Sequence, residues 1–179
     1  MTTGARLARA AALAAAVIAA ACRGSDASGR GAFHALQVGD PVPEYRTTSL
    51  TGDTARVGPG QPVTILNVWA TWCTSCREEM ATLEALHREF AARGLRVLAV
   101  SVDRINDDRV RQYVARQRLT FMVAHDADGL IEQRYQIVGV PTTLLMDGAG
   151  TLRWEHVGAI NGIATEARAA VERSLQPTH

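Results

Sequence analysis

An apolar run, Val63-Thr64-Ile65-Leu66-Asn67-Val68-Trp69, leads straight into Ala70-Thr71-Trp72-Cys73-Thr74-Ser75-Cys76. Its nearly continuous hydrophobicity fits a strand buried on both faces of a sheet. Beyond the cysteines, Met80, Leu83, Leu86, His87 and Phe90 recur at helical spacing between Arg77 and Arg93, and Gly94 supplies a stop. The two cysteines thus fall where a strand hands over to a helix. Cys73 is expected at the helix N-terminus and Cys76 one turn deeper on the same face.

Unpaired backbone N–H groups and the positive end of the helix dipole stabilise a thiolate and lower the pKa of Cys73 from its free value. A thiolate attacks disulfides, and a thiol one turn away can then resolve the mixed disulfide. The short loop also lets the pair close within disulfide geometry. A static disulfide, half of a zinc site and a coincidental spacing are the competing readings. The chain has no second cysteine pair and no histidine pair at ligand spacing, which weighs against zinc. A redox-active dithiol is the preferred reading.

The string Trp69-Ala70-Thr71-Trp72-Cys73-x-x-Cys76 resembles the active site of the thioredoxin superfamily. Its continuation through Arg77-Glu78-Glu79-Met80 resembles the TlpA/ResA-like branch, redoxin-type thiol–disulfide oxidoreductases tethered outside the cytoplasm. The resemblance covers the chain from about Leu36 to the C-terminus. It implies an α/β thioredoxin fold with an N-terminal β-hairpin and a central helix–strand insertion.

One domain plus a leader suits a chain of this length. Formal net charge is +1 and no basic cluster stands out along the sequence, so a nucleic-acid partner has no support. Three cysteines are an odd number, and Cys22 needs its own explanation.

Residues 1–22 read as an export signal, with Arg6 and Arg9 in a basic start and Ala10 to Ala21 as a short apolar core. The run is too short and alanine-rich for a membrane-spanning helix. Ala19-Ala20-Ala21 before Cys22 resembles a bacterial lipoprotein signal, in which the cysteine becomes the lipidated first residue. Ala19 departs from the leucine usual there, and Ala19-x-Ala21 equally suits ordinary signal peptidase and a soluble secreted product. Lipidation is preferred, because it accounts for Cys22. Both readings place the domain outside the cytoplasm. Residues 23–35 are a Gly/Ser-rich linker by composition, and 36–179 form the thioredoxin-like domain.

Within that domain, Tyr45 to Leu50 and Thr54 to Val57 are expected to form the hairpin around Thr51-Gly52-Asp53. Leu95 to Val102 reads as a second buried strand. Asn106 or Asp107 is expected to cap a helix reaching about Arg118, with Val110, Tyr113, Val114 and Gln117 inward. A strand over Phe121 to Ala124 and a short helix over Asp128 to Tyr135 follow. The segment from about Asp107 to Ala124 resembles the branch's insertion. Strands at Thr142 to Met146 and Thr151 to Val157 and a helix over Asn161 to Leu175 complete the pattern. The alternation indicates a sheet built on parallel strands.

Pro141 opens a strand and cannot donate to a ladder. Spacing alone suggests a trans proline at a strand boundary. The resemblance instead implies a cis-proline facing the cysteines, with the backbone of Val140 free to pair with an extended substrate. Glu79, one turn beyond Cys76, matches an acidic residue that in this branch tunes the thiols; otherwise it is a surface glutamate favoured by the dipole. Asn67 stands where thioredoxin carries a buried acid. An amide cannot relay a proton, so that role would fall to Glu79. Glu78 is expected to be solvated. Ala81 replaces the proline that usually kinks the helix. Trp69 reads as core, Trp72 as a border of the substrate surface, and His87 as a packing residue.

The expected activity is reduction of protein disulfides by Cys73 and Cys76, the CxxC pairs of apocytochromes c being one substrate class. A membrane-embedded thiol reductant would restore the electrons. No cofactor or metal is implied, and a monomer is expected. A peroxidase of the redoxin type is an alternative, although Leu66 and Ala70 stand where that chemistry normally uses proline and threonine. A copper-site assembly protein on the same fold is another, although such proteins space their cysteines by three residues rather than two.

Overall fold

The structure, a computed structural model, describes residues 36–176. The signal, Cys22 and the linker lie outside the described residues, as do residues 177–179.

Two short strands, β1 (Tyr45–Thr48) and β2 (Thr54–Val57), pair antiparallel as the expected hairpin. The main sheet follows the order β5-β4-β3-β6-β7. Its centre is β3 (Val63–Trp69), with β4 (Leu95–Ser101) parallel on one side and β6 (Thr142–Met146) antiparallel on the other. The edges are β5 (Met122–His125), parallel to β4, and β7 (Leu152–Val157), antiparallel to β6. The sheet is therefore parallel in only one half.

Continuous apolar patterning in β3, β4 and β6 matches their burial: every residue of β6, and all but one of β3 and of β4, is buried. Edge strand β7 instead alternates, with Leu152 fully buried and Val157 exposed. Helix α1 (Thr74–Phe90) lays Cys76, Met80, Leu83, Leu86 and Phe90 on the core and continues into a 3-10 turn at Ala91–Arg93. Gly94, at φ 98°, takes the left-handed conformation that ends it, as its position after the periodic residues implied. Thr74 is the first residue of α1 and Cys73 its cap, which puts that cysteine at the helix N-terminus as expected. Ala81 lies inside an unbroken helix.

Helix α2 (Asp108–Gln117) and β5 supply the helix–strand pair expected after β4. Two details differ. Asp107 occupies the cap position, but its carboxylate pairs with Arg111 at 2.7 Å and makes no cap bond. Gln117 is exposed, whereas Val110 and Tyr113 are buried. Helix α3 (Leu130–Tyr135) is shorter than expected. The closing element is a 3-10 turn, Ile160–Ile163, followed by α4 (Ala164–Ser174), which buries Ala167, Ala170 and Val171. The break matters, because it puts the N–H of Ile160 under the site.

Candidate active site: a dithiol above a buried carboxyl

Strand register assembles the site. Val68 lies opposite Thr142, so Pro141 falls beside the chain leaving β3 toward the cysteines. Asn67 lies opposite Thr143 on the same pair of strands. On the other flank Trp69 is opposite Ser101, which carries Asp103 alongside Thr71. Neighbouring strand ends thus deliver residues separated by 32 to 76 positions to one place.

Cys73 and Cys76 form a disulfide with Cα atoms 5.3 Å apart. Cys73 caps α1: the N–H of Cys76 donates to its sulfur at 3.2 Å. This is the geometry in which a serine or aspartate side chain satisfies an orphan helix donor, here with sulfur as acceptor. The Ser75 hydroxyl lies 3.4 Å from the same sulfur. A reduced Cys73 in this position has a donor aimed at its negative charge. It keeps 8% of its surface exposed, while Cys76 keeps none.

The Val140–Pro141 bond is cis. The Val140 carbonyl oxygen lies 3.7 Å from the Cys73 sulfur, and the Pro141 carbonyl accepts from Gly158 N–H at 2.8 Å. Val140 is half-buried and Pro141 buried. Trp72 stands out, 62% exposed, immediately before the capping cysteine. Trp69 is fully buried against Tyr113, with ring centroids 5.2 Å apart.

Glu79 is no surface residue. It is fully buried, accepting from Asn67 Nδ2 at 2.8 Å through one oxygen and from Ile160 N–H at 3.0 Å through the other. Burial pushes its carboxyl up to about 7, against the pull of those two hydrogen bonds. Glu78, one position earlier, is exposed as expected. Asn67 also donates to Thr143 Oγ1 at 3.0 Å, and its own Oδ1 has no partner among the described residues. An amide here suits both forms of Glu79. Its N–H donates to a carboxylate, and after a half-turn its free oxygen accepts from a carboxylic O–H.

Sequence reasoning missed five contributors. Thr71 is held by the buried Asp103 through its N–H at 2.8 Å and its hydroxyl at 2.6 Å, and Ser101 donates to the same carboxyl at 2.6 Å. Thr143 and the Ile160 N–H complete the setting of Glu79. The only prior signal for Thr71 and Asp103 was position, each just past a strand end. His87 packs edge-on to Phe121, as a packing residue would.

A β-α-β frame with a flanking antiparallel pair, a Cys-x-x-Cys at the first turn of its central helix and a cis-proline beside it define a thioredoxin-fold dithiol protein. Comparison narrows this. The AhpC/TSA family matches residues 38–155. A thiol:disulfide interchange protein DsbE from Yersinia pestis is 35% identical over 69% of this chain and 66% of its own length. The thioredoxin-like protein YneN of Bacillus subtilis is 33% identical, over 70% of this chain and 74% of its own. A crystal structure described as a thiol:disulfide interchange protein DsbE from Chlorobium tepidum superposes with a TM-score of 0.72 at 27% identity. That match covers 79% of this chain and 99% of the other. The chain belongs to the AhpC/TSA family, as a TlpA/ResA-like member of the thioredoxin superfamily.

Among the described residues no helix is long and apolar enough to cross a membrane, and no group of three metal-ligating side chains gathers.

Proposed function

We propose that the chain is an extracytoplasmic thiol:disulfide oxidoreductase that reduces protein disulfides. The observation that carries this is Cys73 as the cap of α1, its sulfur receiving a backbone N–H and lying beside the Val140 carbonyl. The kinship with thiol:disulfide interchange proteins supports it.

In the forward reaction the Cys73 thiolate attacks one sulfur of a substrate disulfide, and the other leaves as a thiolate that takes up a proton. An extended substrate segment lies against the Val140 backbone beside Pro141, with Trp72 bordering it. Cys76 then gives up its proton and attacks the Cys73 sulfur. The protein disulfide forms, and the substrate departs with two thiols and the two electrons. Cys76 has no solvent exposure, so its proton needs an internal acceptor. Glu79, one turn along and titrating at about 7, is that acceptor. Apocytochromes c carrying a CxxC disulfide are one fitting substrate class. A membrane-embedded thiol reductant restores the dithiol, and a lipid on Cys22 holds the domain at the membrane.

The test is the reduction potential of Cys73/Cys76 against a dithiothreitol ladder, with single-turnover reduction of a CxxC-disulfide peptide. A potential above about −180 mV would place the protein among oxidants and overturn the reducing role. Rapid peroxide consumption surviving Cys76→Ser would point to a peroxidase instead.

A further inference from the structure

Beside the dithiol loop runs a groove of about 430 Å³ lined by Thr71, Arg77, Arg109, Gln112, Tyr113 and Arg116. It contains three guanidinium groups and no carboxylate. The sequence conceals this, because Arg77 sits 32 positions from Arg109. The fold gathers them. Arg109, Gln112 and Arg116 follow at steps of three and four along α2 and share one face. Arg77 belongs to the first turn of α1, where it donates to the Thr71 carbonyl at 2.8 Å and the Thr74 hydroxyl at 3.2 Å. Both partners are neutral, and Arg77 has no ion pair among the described residues.

What sets the groove apart is that three guanidinium groups line one depression with no carboxylate among its lining residues. Arg88, Arg153 and Arg168, by contrast, each meet a carboxylate. Helix α2 has two acids of its own at its start, but neither serves the groove. Asp107 pairs with Arg111 at 2.7 Å, and Asp108 accepts from Asn106 at 3.1 Å. Neither Arg109 nor Arg116 has an ion pair among the described residues, and both side chains belong to exposed residues. Tyr113 gives the groove a fixed floor: it is buried against Trp69 and donates its hydroxyl to the Arg77 carbonyl at 3.3 Å.

Position says what such a groove can hold. Thr71 lines it and stands two residues before Cys73, with the exposed Trp72 between them. Arg77 stands four residues after Cys73 on the helix that Cys73 caps. The groove therefore adjoins the loop and the first helical turn that carry Cys73. Planar guanidinium forks bind carboxylates in paired hydrogen bonds. Clustered like charge also accelerates the approach of an oppositely charged partner.

We propose that the groove walled by Arg77, Arg109 and Arg116 seats an acidic segment, rich in Asp or Glu, of the protein whose disulfide Cys73 attacks. The proposal rests on the reductase reading given above, to which it adds a substrate preference. The α1 edge of the dithiol then selects the substrate by charge, while the Val140 edge takes its backbone whatever its sequence.

The experiment uses the full chain, reduced with dithiothreitol and desalted, in single turnover with two peptides. Each carries one internal CxxC disulfide, flanked by three Glu residues in one peptide and three Gln in the other. Two electrons pass from Cys73/Cys76 to the peptide, so no further reductant is needed. The expected second-order rate constant is about tenfold higher for the Glu peptide at low ionic strength. The ratio should fall toward one in high salt. In Arg109→Glu/Arg116→Glu it should drop below one, and in the milder Arg109→Gln/Arg116→Gln it should lie near one. Using a ratio within each variant removes any general loss of activity. Equal rates in the unmodified protein, or a preference that persists in both variants, overturn the groove proposal and leave the reductase reading intact. If neither peptide is reduced, the reductase reading falls and takes the proposal with it. Binding to phosphatidylglycerol vesicles that the variants lose, with the peptide ratio unchanged, would assign the arginines to a membrane surface and also overturn it.

Discussion

Cys73 and Cys76 are bonded to each other, yet the surroundings of the two sulfurs have little in common. On the outer side Cys73 retains a sliver of exposure and meets backbone: an N–H at 3.2 Å and the Val140 carbonyl at 3.7 Å. Exposed Trp72 precedes it. Below it, Cys76 lies fully buried one turn from an equally buried Glu79, held between Asn67 and the Ile160 N–H. On the reading proposed above, the outer half offers main-chain groups to a visitor and the inner half an internal proton acceptor. A helix start suits this division. Its first turn exposes a cap and orphan donors, and residues three positions on already face the core.

The sharpest way to break the comparison is to exchange each sulfur for oxygen. Cys73→Ser is expected to lose disulfide exchange down to the uncatalysed rate, since a hydroxyl is not ionised at neutral pH. Cys76→Ser should still attack and then stall, accumulating a protein–substrate mixed disulfide visible by non-reducing mass spectrometry. If both variants accumulate adducts alike, the outer and inner roles are not separate.

Glu79→Gln tests the inner half. With no base to accept the Cys76 proton, resolution of the mixed disulfide should slow by about 100-fold above pH 7, and its pH step near 7 should vanish. Rapid-quench measurement of mixed-disulfide decay across pH reads both. Stability changes too, with a definite sign. The folded carboxyl titrates at about 7 rather than 4.5, so between those values the folded chain holds more protons than the unfolded one. The associated stability is complete below pH 4.5 and is lost as pH rises through about 7, an integrated change of about 3 kcal/mol. Denaturant unfolding should show this slope in the unmodified chain and not in Glu79→Gln. The glutamine can be accommodated, because Asn67 Oδ1 is free to accept from its amide. Asn67→Ala sharpens the same point. Removing a donor to the carboxylate should move the pH step of resolution above 7.

The outer half of this division was far more legible in the sequence than the inner half. An unbroken apolar run, a helical repeat and two cysteines between them define a strand–helix junction by local pattern alone, and β3 and β6 have the bounds that pattern gave. Kinship then supplied Glu79 as a candidate; its burial came only with the fold. Two facts bury it: the register of Asn67 against Thr143, and the break of the last helix into a 3-10 turn at Ile160. Both are long-range consequences that no window of sequence contains. Capping at Asp107 failed for a local reason instead, since Arg111 one turn away captures its carboxylate. The arginine groove was invisible because its walls come from two helices.

Thr71→Val probes the seam between the halves. Thr71 is pinned to Asp103 by its N–H and its hydroxyl, and the valine keeps only the first of these bonds. Loss of one buried hydrogen bond to a carboxyl should lower unfolding free energy by about 2 kcal/mol in denaturant titration. The Asp103 carboxyl keeps the Thr71 N–H and the Ser101 hydroxyl as donors, so the site should still assemble. A loss of exchange far exceeding the loss of stability would mean that this loop positions Cys73, and the division would need a third part.

The smallest effect on folding is expected at an exposed position. Trp72 is 62% exposed, and no hydrogen bond or ring contact holds it among the described residues, so Trp72→Ala should change unfolding free energy by no more than about 0.5 kcal/mol. Its effect should appear only when a substrate arrives. An aromatic ring beside the reacting sulfur contributes contact area to a bound peptide, on the order of 1 kcal/mol, which corresponds to a KM raised about fivefold. A small neutral disulfide too short to reach the ring should show no such rise. If KM for the peptide stays constant while resolution slows, Trp72 acts on the inner chemistry, and the outward role assigned to it is wrong.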